Sequence, residues 1–290
     1  MRIGYACVNT TFRESASRTF RVASYTEDRA REVTASNLAA LGRILAWNVE
    51  NGISYFRISS GTVPLASHPV MTFDWRSAFA GELAALGAFA RDHGMRLTMH
   101  PGQYTLLNSP REEVVRNSID ELVYHADLLD LMGMDGTHKI QLHTGGVYGD
   151  KPAATQRFID VYRELPEGVR RRLVIEHEER HYNLADLLPI HEATGVPIVF
   201  DVFHHRLHNT GESVSEALAL VAPVWEGHGP MMIDYSTQDP AKRWGGHAES
   251  IDLDDFAALV PELARHGADV MLEIKDKEQS ALRANALLLR

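Results

Sequence analysis

The run KIQLHTGG, residues 139–146, decides how the chain is read. Residues of strand character lead to His143, and Thr144-Gly145-Gly146 then turns the backbone away. The same form recurs along the chain in Ile3–Val8, Ser54–Ser59, Arg96–His100, Leu173–Glu176, Pro197–Asp201, Met231–Asp234 and Val270–Glu273. Nearly every run ends on or beside a His, Asp or Glu. Between them lie helical stretches, Ala30–Asn51, Trp75–His93, Glu112–Met132, Ala153–Leu165, Leu184–Thr194, Ser213–Val221 and Asp254–His266, with a helical tail over Ser280–Leu289. Their apolar residues recur at three- and four-residue spacing, as in Val114, Ile119, Leu122 and Leu129. Many stop at a glycine that accepts the left-handed conformation ending a helix. This alternation predicts the α/β class: a single (β/α)8 TIM barrel, one domain over residues 1–290. A parallel barrel gathers the C-terminal ends of its strands at one mouth. Imidazoles and carboxylates collected there repel or stay badly solvated unless cations sit between them. The pattern therefore predicts a metal cluster at the barrel mouth.

Composition bounds the setting. The 290 residues are 44% apolar, enough for one large core. No apolar run reaches the roughly 20 residues that span a bilayer, and the start, MRIGYACVNTTF, lacks the core and cleavage site of a signal peptide. The one cysteine, Cys7, forms no internal disulfide and reads as a small buried residue of the first strand. It fits a reducing interior, so a cytoplasmic location without membrane contact is expected. The net charge of −10 argues against a broad cationic surface for nucleic acid. That argument weakens once the acids are metal ligands whose charge the ions cancel. Arg13, Arg18, Arg21, Arg29 and Arg31 crowd the segment after the first strand, and Lys242 and Arg243 follow the seventh. A solvated loop and a phosphate track account for the Arg group equally well.

Taken singly, His100 and His143 read as hydrogen-bonded core histidines. With acids on the next strands they read as ligands, joined by Glu176, Asp201, His204, Asp234, His247 and Glu273. Glu176 and Glu273, from distant strands, suit a bridge between ions. Asp201 and His204 share one strand end and its turn, and His205 faces away. The donors are nitrogen and oxygen without thiolate, a set that zinc, manganese, iron, magnesium or cobalt accepts, with carboxylate richness favouring Mn²⁺. Two or three such ions suit phosphodiester hydrolysis, with Glu176, Glu273, His143 and His247 at the chemistry. They also suit sugar isomerisation. Long βα connections, Asn9–Glu27, Ser60–Asp74 and Ser236–Asp252, surround the mouth and suggest a substrate larger than a metabolite.

Here the residues carry a family likeness. GYACVNTT, FRISSGTVPLASHP, LTMHPGQYTLLNSP, LHTGGVYGDK, IEHEER, FDVFHH, STQDPAKRWGGHAE and MLEIKDKEQ, in that order, resemble the ultraviolet damage endonucleases, metal-dependent barrel enzymes related to endonuclease IV. The resemblance implies nicking of damaged duplex DNA immediately 5′ to cyclobutane dimers, 6-4 photoproducts or abasic sites. The cut would leave a 3′-hydroxyl and a 5′-phosphate, with Mn²⁺ dependence and up to three ions. By position it implies ligands at His100, His143, Glu176, Asp201, His204, His247 and Glu273, with His68 of LASHP close by. The family's Gln-Tyr pair falls on Gln103 and Tyr104 and would wedge into the duplex opposite the lesion. Tyr5 and Asn9 match residues near the damaged nucleotides. The seventh strand departs from the pattern: where the family has K-x-H, this chain has Met232 and Asp234. Aspartate still ligates Mn²⁺, but methionine neither carries charge nor polarises a phosphate. Lys275 and Lys151 remain as phosphate partners or plain surface lysines.

Two rivals stand beside the DNA-repair reading. A sugar isomerase or epimerase on the same barrel needs fewer metals and no wedge. A non-catalytic damage-binding module needs no ligand set of this size. A monomer is the default assembly for a wedge on a bent duplex.

Overall fold

A computed structural model of the chain describes residues 1–12 and 15–289, so Arg13 of the basic group lies outside the described residues. Eight parallel strands close into a barrel in sequence order: β1 (Ile3–Ala6), β2 (Tyr55–Ile58), β3 (Arg96–Met99), β4 (Ile140–His143), β5 (Leu173–Glu176), β6 (Ile198–Asp201), β7 (Met232–Tyr235) and β8 (Asp269–Leu272). β8 returns to β1 through the register Ile3↔Val270 and Tyr5↔Leu272. The expected TIM barrel is thus the observed fold; β1, β2, β3, β4 and β6 are a residue or two shorter than their expected runs, β5 coincides with its run, and β7 and β8 are shifted by one residue. β1 ends at Ala6. Cys7 is half-buried just past it at φ 68°, a turn residue rather than a strand residue.

The helices are α1 (Glu27–Glu50), α2 (Trp75–Ala78), α3 (Ala80–Asp92), α4 (Glu112–Leu131), α5 (Lys151–Glu164), α6 (Glu167–Arg170), α7 (Leu184–Thr194), α8 (Val202–Leu207), α9 (Val214–Val221), α10 (Leu253–Arg265) and α11 (Glu278–Leu288). The single helix expected over Trp75–His93 is two. Asp74 caps α2, and Phe79 (φ −118°, ψ 15°) breaks the helical path before α3 begins. α1 starts before Ala30 because the Thr26 side chain accepts from the Arg29 amide. α6 and α8 are too short to leave a periodic signal. None of the described helices is long and apolar enough to cross a membrane.

The main core fills the layer between strands and helices. A second, small cluster of Ala6, Tyr55 and Met271 sits apart from it. Tyr55 precedes Arg57 by two residues, so the two share a face of β2. Arg57 bonds to side chains from β4 and β7, which sets that face inside the barrel. Gly4 makes this packing fit, since a Cβ there would lie 2.2 Å from the Tyr55 carbonyl oxygen. The N-terminal end of the barrel is tied by charge. Asp269 receives Arg96 at 3.1 Å, the Arg2 guanidinium at 3.0 Å and the Arg2 amide at 2.7 Å.

Two buried histidines give the fold a pH dependence. Burial pushes His125 in α4 and His138 before β4 down to about 4. Both are therefore neutral in the folded chain at pH values where the unfolded chain, with imidazoles near 6.5, has begun to take up protons. Stability from this source is complete above about pH 6.5 and lost as pH falls toward 4, at about 1.4 kcal/mol per pH unit for each histidine. Between pH 7 and 4.5 the slope of stability from urea titrations should differ between wild type and His125→Gln by the share of one histidine, about 1.4 kcal/mol per pH unit, with the share of His138 retained.

Candidate metal centre and its rim

Strand pairing brings the candidate ligands together. His143 lies level with Glu176 across β4 and β5, and Asp201 with Asp234 across β6 and β7. Three sets, each with one donor atom per residue within 4.8 Å of the others, occupy the mouth: His100, His143 and Glu176; Glu176, Asp201 and His204; Asp201, Asp234 and Glu273. Glu176 belongs to the first two sets and Asp201 to the last two. His100 and His143 point Nε2 at Glu176 Oε2 from 3.4 and 3.5 Å. His204 brings Nδ1 to 3.1 Å from Glu176 Oε1 and 3.5 Å from Asp201 Oδ2. His247 stands slightly off, its Nε2 4.0 Å from Glu273 Oε2.

Backbone carbonyls orient the rings. His100 Nδ1 donates to Pro101 O at 2.9 Å and His247 Nδ1 to Glu273 O at 2.8 Å, so each ring turns Nε2 toward the mouth. His247 also depends on a small hairpin. Gln238 pairs with it as an antiparallel bridge, Asp239 N bonds Gly246 O at 2.8 Å, and Gly245 N bonds Gln238 Oε1 at 2.8 Å.

The electrostatics are those of a site for cations. Burial favours a neutral Glu176, but His143, with His100 and His204, overcomes it and holds the carboxyl well below the usual range. Burial and three neighbouring carboxylates push Asp201 well above its ordinary value, despite His204. Burial also raises Asp234, to about 7, against the pull of Arg57. Burial again favours the neutral form of Glu273, but Arg57, joined by His247 and His100, carries it the other way, to about 2. Asp201 Oδ2 and His143 Nδ1 are buried without a hydrogen-bond partner. Such orphaned donors beside mixed carboxylates and imidazoles fit divalent cations.

Sequence reasoning missed three members of the site. Arg57, 2% exposed, crosses the barrel floor. Its Nη2 contacts both Asp234 oxygens at 3.0 and 2.9 Å and Gln141 Oε1 at 2.8 Å, and its Nη1 pairs with Glu273 Oε1. Gln141 donates onward to Glu176 Oε2 at 2.6 Å and Asp234 Oδ2 at 2.5 Å. His177 faces away from the cluster yet serves it: its Nε2 accepts the Asp201 amide at 3.1 Å and its carbonyl accepts from His204 Nδ1 at 3.1 Å. A strand that ends its inward face on a ligand has another inward residue two positions earlier. That spacing from His143 to Gln141 was the available signal.

Around the cluster opens a cavity of about 910 Å³. Gln103 lines its wall, and Tyr104 beside it is 71% exposed, its ring lying over Gly102. Lys242, Arg243 and Lys275 also line it. Four expected residues lie elsewhere. His68 is exposed, its Nδ1 accepting the Val70 amide at 3.0 Å, and it enters none of the three sets. Tyr5 and Asn9 are buried at the base of the first loop rather than open to a duplex. The Tyr5 hydroxyl donates to Asn48 at 2.7 Å and accepts from Asn9 at 2.8 Å. Lys151 is paired with Asp186 at 2.6 Å. Of the basic first-loop group, Arg29 and Arg31 lie over the Phe20 and Phe73 rings, a packing role.

The chain is similar to known proteins over nearly its full length. It is 38% identical over 286 residues to a UV DNA damage endonuclease of Clostridium perfringens, covering 98% of this chain and 69% of that one. The solved structure of SacUVDE superposes with a TM-score of 0.96 at 45% identity, covering 100% of this chain and 98% of the other. More distant barrels share the fold alone: endonuclease IV of Thermus thermophilus (13% identity, TM-score 0.64, 100% and 99% covered) and an L-ribulose 3-epimerase (16%, 0.63, 99% and 93%). The sequence model of the UV-endonuclease UvdE family matches residues 1–289, and on this match and these identities the chain belongs to that family.

Proposed function

We propose that the chain is a one-domain DNA repair endonuclease, over residues 1–290, that nicks duplex DNA immediately 5′ to ultraviolet photoproducts by metal-activated phosphodiester hydrolysis. The observation that carries the reading is the linked ligand sets at the mouth, set beside the exposed Gln103-Tyr104 pair. His100, His143, Glu176, Asp201 and His204 would hold divalent ions, Mn²⁺ by their carboxylate content, with Glu273 and His247 on the open side. When bound there, such ions supply an activated water and neutralise charge on the attacking and leaving oxygens. The chain's own residues do the rest. The carbonyl-anchored histidines fix donor directions, and Lys275 and Arg243 present positive charge to a backbone entering the cavity, while Lys242 is paired with Asp239 and Glu249. Tyr104 offers a flat ring where bases are lost from the stack, and Gln103 an amide for an orphaned base. Cyclobutane dimers, 6-4 photoproducts and abasic sites all weaken stacking, so the choice of lesion follows deformability rather than base sequence. Monomeric action in the cytoplasm, where the DNA lies, completes the reading. A sugar epimerase is disfavoured because its likeness is one of fold and a small polyol has no use for an exposed Gln-Tyr pair.

A labelled duplex with one cyclobutane dimer, incubated with Mn²⁺, should yield a single cut just 5′ to the dimer, and the undamaged duplex none. Glu273→Gln should lower that rate by about 10- to 100-fold; an unaffected variant refutes the placement of the chemistry. Chelation should abolish cutting and added Mn²⁺ restore it. Gln103→Ala with Tyr104→Ala should weaken preference for damaged over undamaged duplex by about 5- to 100-fold, the scale of one stacked base. Unchanged preference removes the wedge.

A further inference from the structure

We infer that Arg57 is a built-in cation of this centre: its guanidinium occupies the third ligand set in place of an ion, and Asp234 is its acceptor rather than a metal ligand. The inference rests on the metal-cluster reading above and deepens it. Four carboxylates, Glu176, Asp201, Asp234 and Glu273, meet in the mouth. The first two ligand sets mix imidazole with carboxylate. The third, Asp201, Asp234 and Glu273, has only carboxylates, and it is the set that Arg57 enters. Both Asp234 oxygens face Arg57 Nη2, at 3.0 and 2.9 Å, and one of them also takes Gln141 at 2.5 Å. One Glu273 oxygen is taken by Arg57 Nη1. Arg57 is nearly fully buried, and a guanidinium cannot shed its charge, so it stays a cation wherever it is placed. A divalent ion drawn to the same oxygens would have to displace those bonds and sit against a like charge in a site of low polarity. The other two sets have no such competitor among the described residues.

The arrangement also explains the unusual seventh strand. Asp234 needs a buried positive partner, and Met232, buried two residues earlier on the same strand, adds no further charge. Arg57 is thus a positioning residue. Through Nη1 it holds Glu273, and through Gln141 it holds Glu176, so one guanidinium sets the angle of two glutamates at the mouth.

The test is metal stoichiometry, read without activity. Wild-type protein, Asp234→Asn and Arg57→Gln are loaded with Mn²⁺, freed of excess by gel filtration, and measured by plasma mass spectrometry, with folding checked by circular dichroism. Wild type and Asp234→Asn should each hold about two ions per chain, and Arg57→Gln about three. Three ions in the wild type, one fewer in Asp234→Asn, or no gain in a folded Arg57→Gln overturns the assignment. If Arg57→Gln does not fold, Asp234→Asn decides alone. No manganese on any of the three refutes the metal-cluster reading itself, and the inference with it, whereas two ions in the wild type with one in Asp234→Asn refutes the inference only.

Discussion

Four carboxylates from four strands converge on one buried place, and the rest of the centre answers the problem this creates. Like charges at that spacing, out of water, are tolerated only when cations or protons intervene. The molecule uses three answers together. Imidazoles face Glu176, a guanidinium faces Asp234 and Glu273, and Asp201 shares His204 with Glu176. The shifts run in opposite directions among neighbours: cationic partners overcome burial and hold Glu176 and Glu273 as anions, while burial wins at Asp201 and Asp234 and drives them toward neutrality. A centre so divided is poised to exchange protons for metal ions.

The two ends of the barrel treat charge differently. At the N-terminal end Asp269 is matched by Arg96 and Arg2, a closed arrangement with its partners present in the chain. At the C-terminal end orphaned donors such as Asp201 Oδ2 remain. Stability and chemistry are thus separated along the barrel axis, as expected when loops on one rim can vary without touching the strand layer.

Much of this was legible in the sequence. A strand-like run ending in His, Asp or Glu announces both a strand and the direction of its last side chain, which is why His100, His143, Glu176 and Asp201 could be read before any coordinates. Arg57 was not legible. In FRIS it has no neighbour that marks it, and only closure of the barrel sets β2 against β7 and β8 as partners across the interior. Tyr5 and Asn9 misled for the converse reason. Their likeness to DNA-facing residues says nothing of Asn48, which captures the Tyr5 hydroxyl from a helix 43 residues away. The break in Trp75–His93 was hidden too, because Phe79 is apolar and keeps the helical spacing through the interruption.

Glu278, at the first position of α11, holds the first loop by accepting the backbone amides of Thr10 and Thr11, both at 2.8 Å. β8 closes the barrel a few residues earlier, and Glu273 follows it directly. During synthesis these pieces emerge after the other seven strands. A growing chain can therefore collect its histidines long before its last glutamates arrive. The mouth is thus completed late, by the same stretch of chain that seals the cylinder.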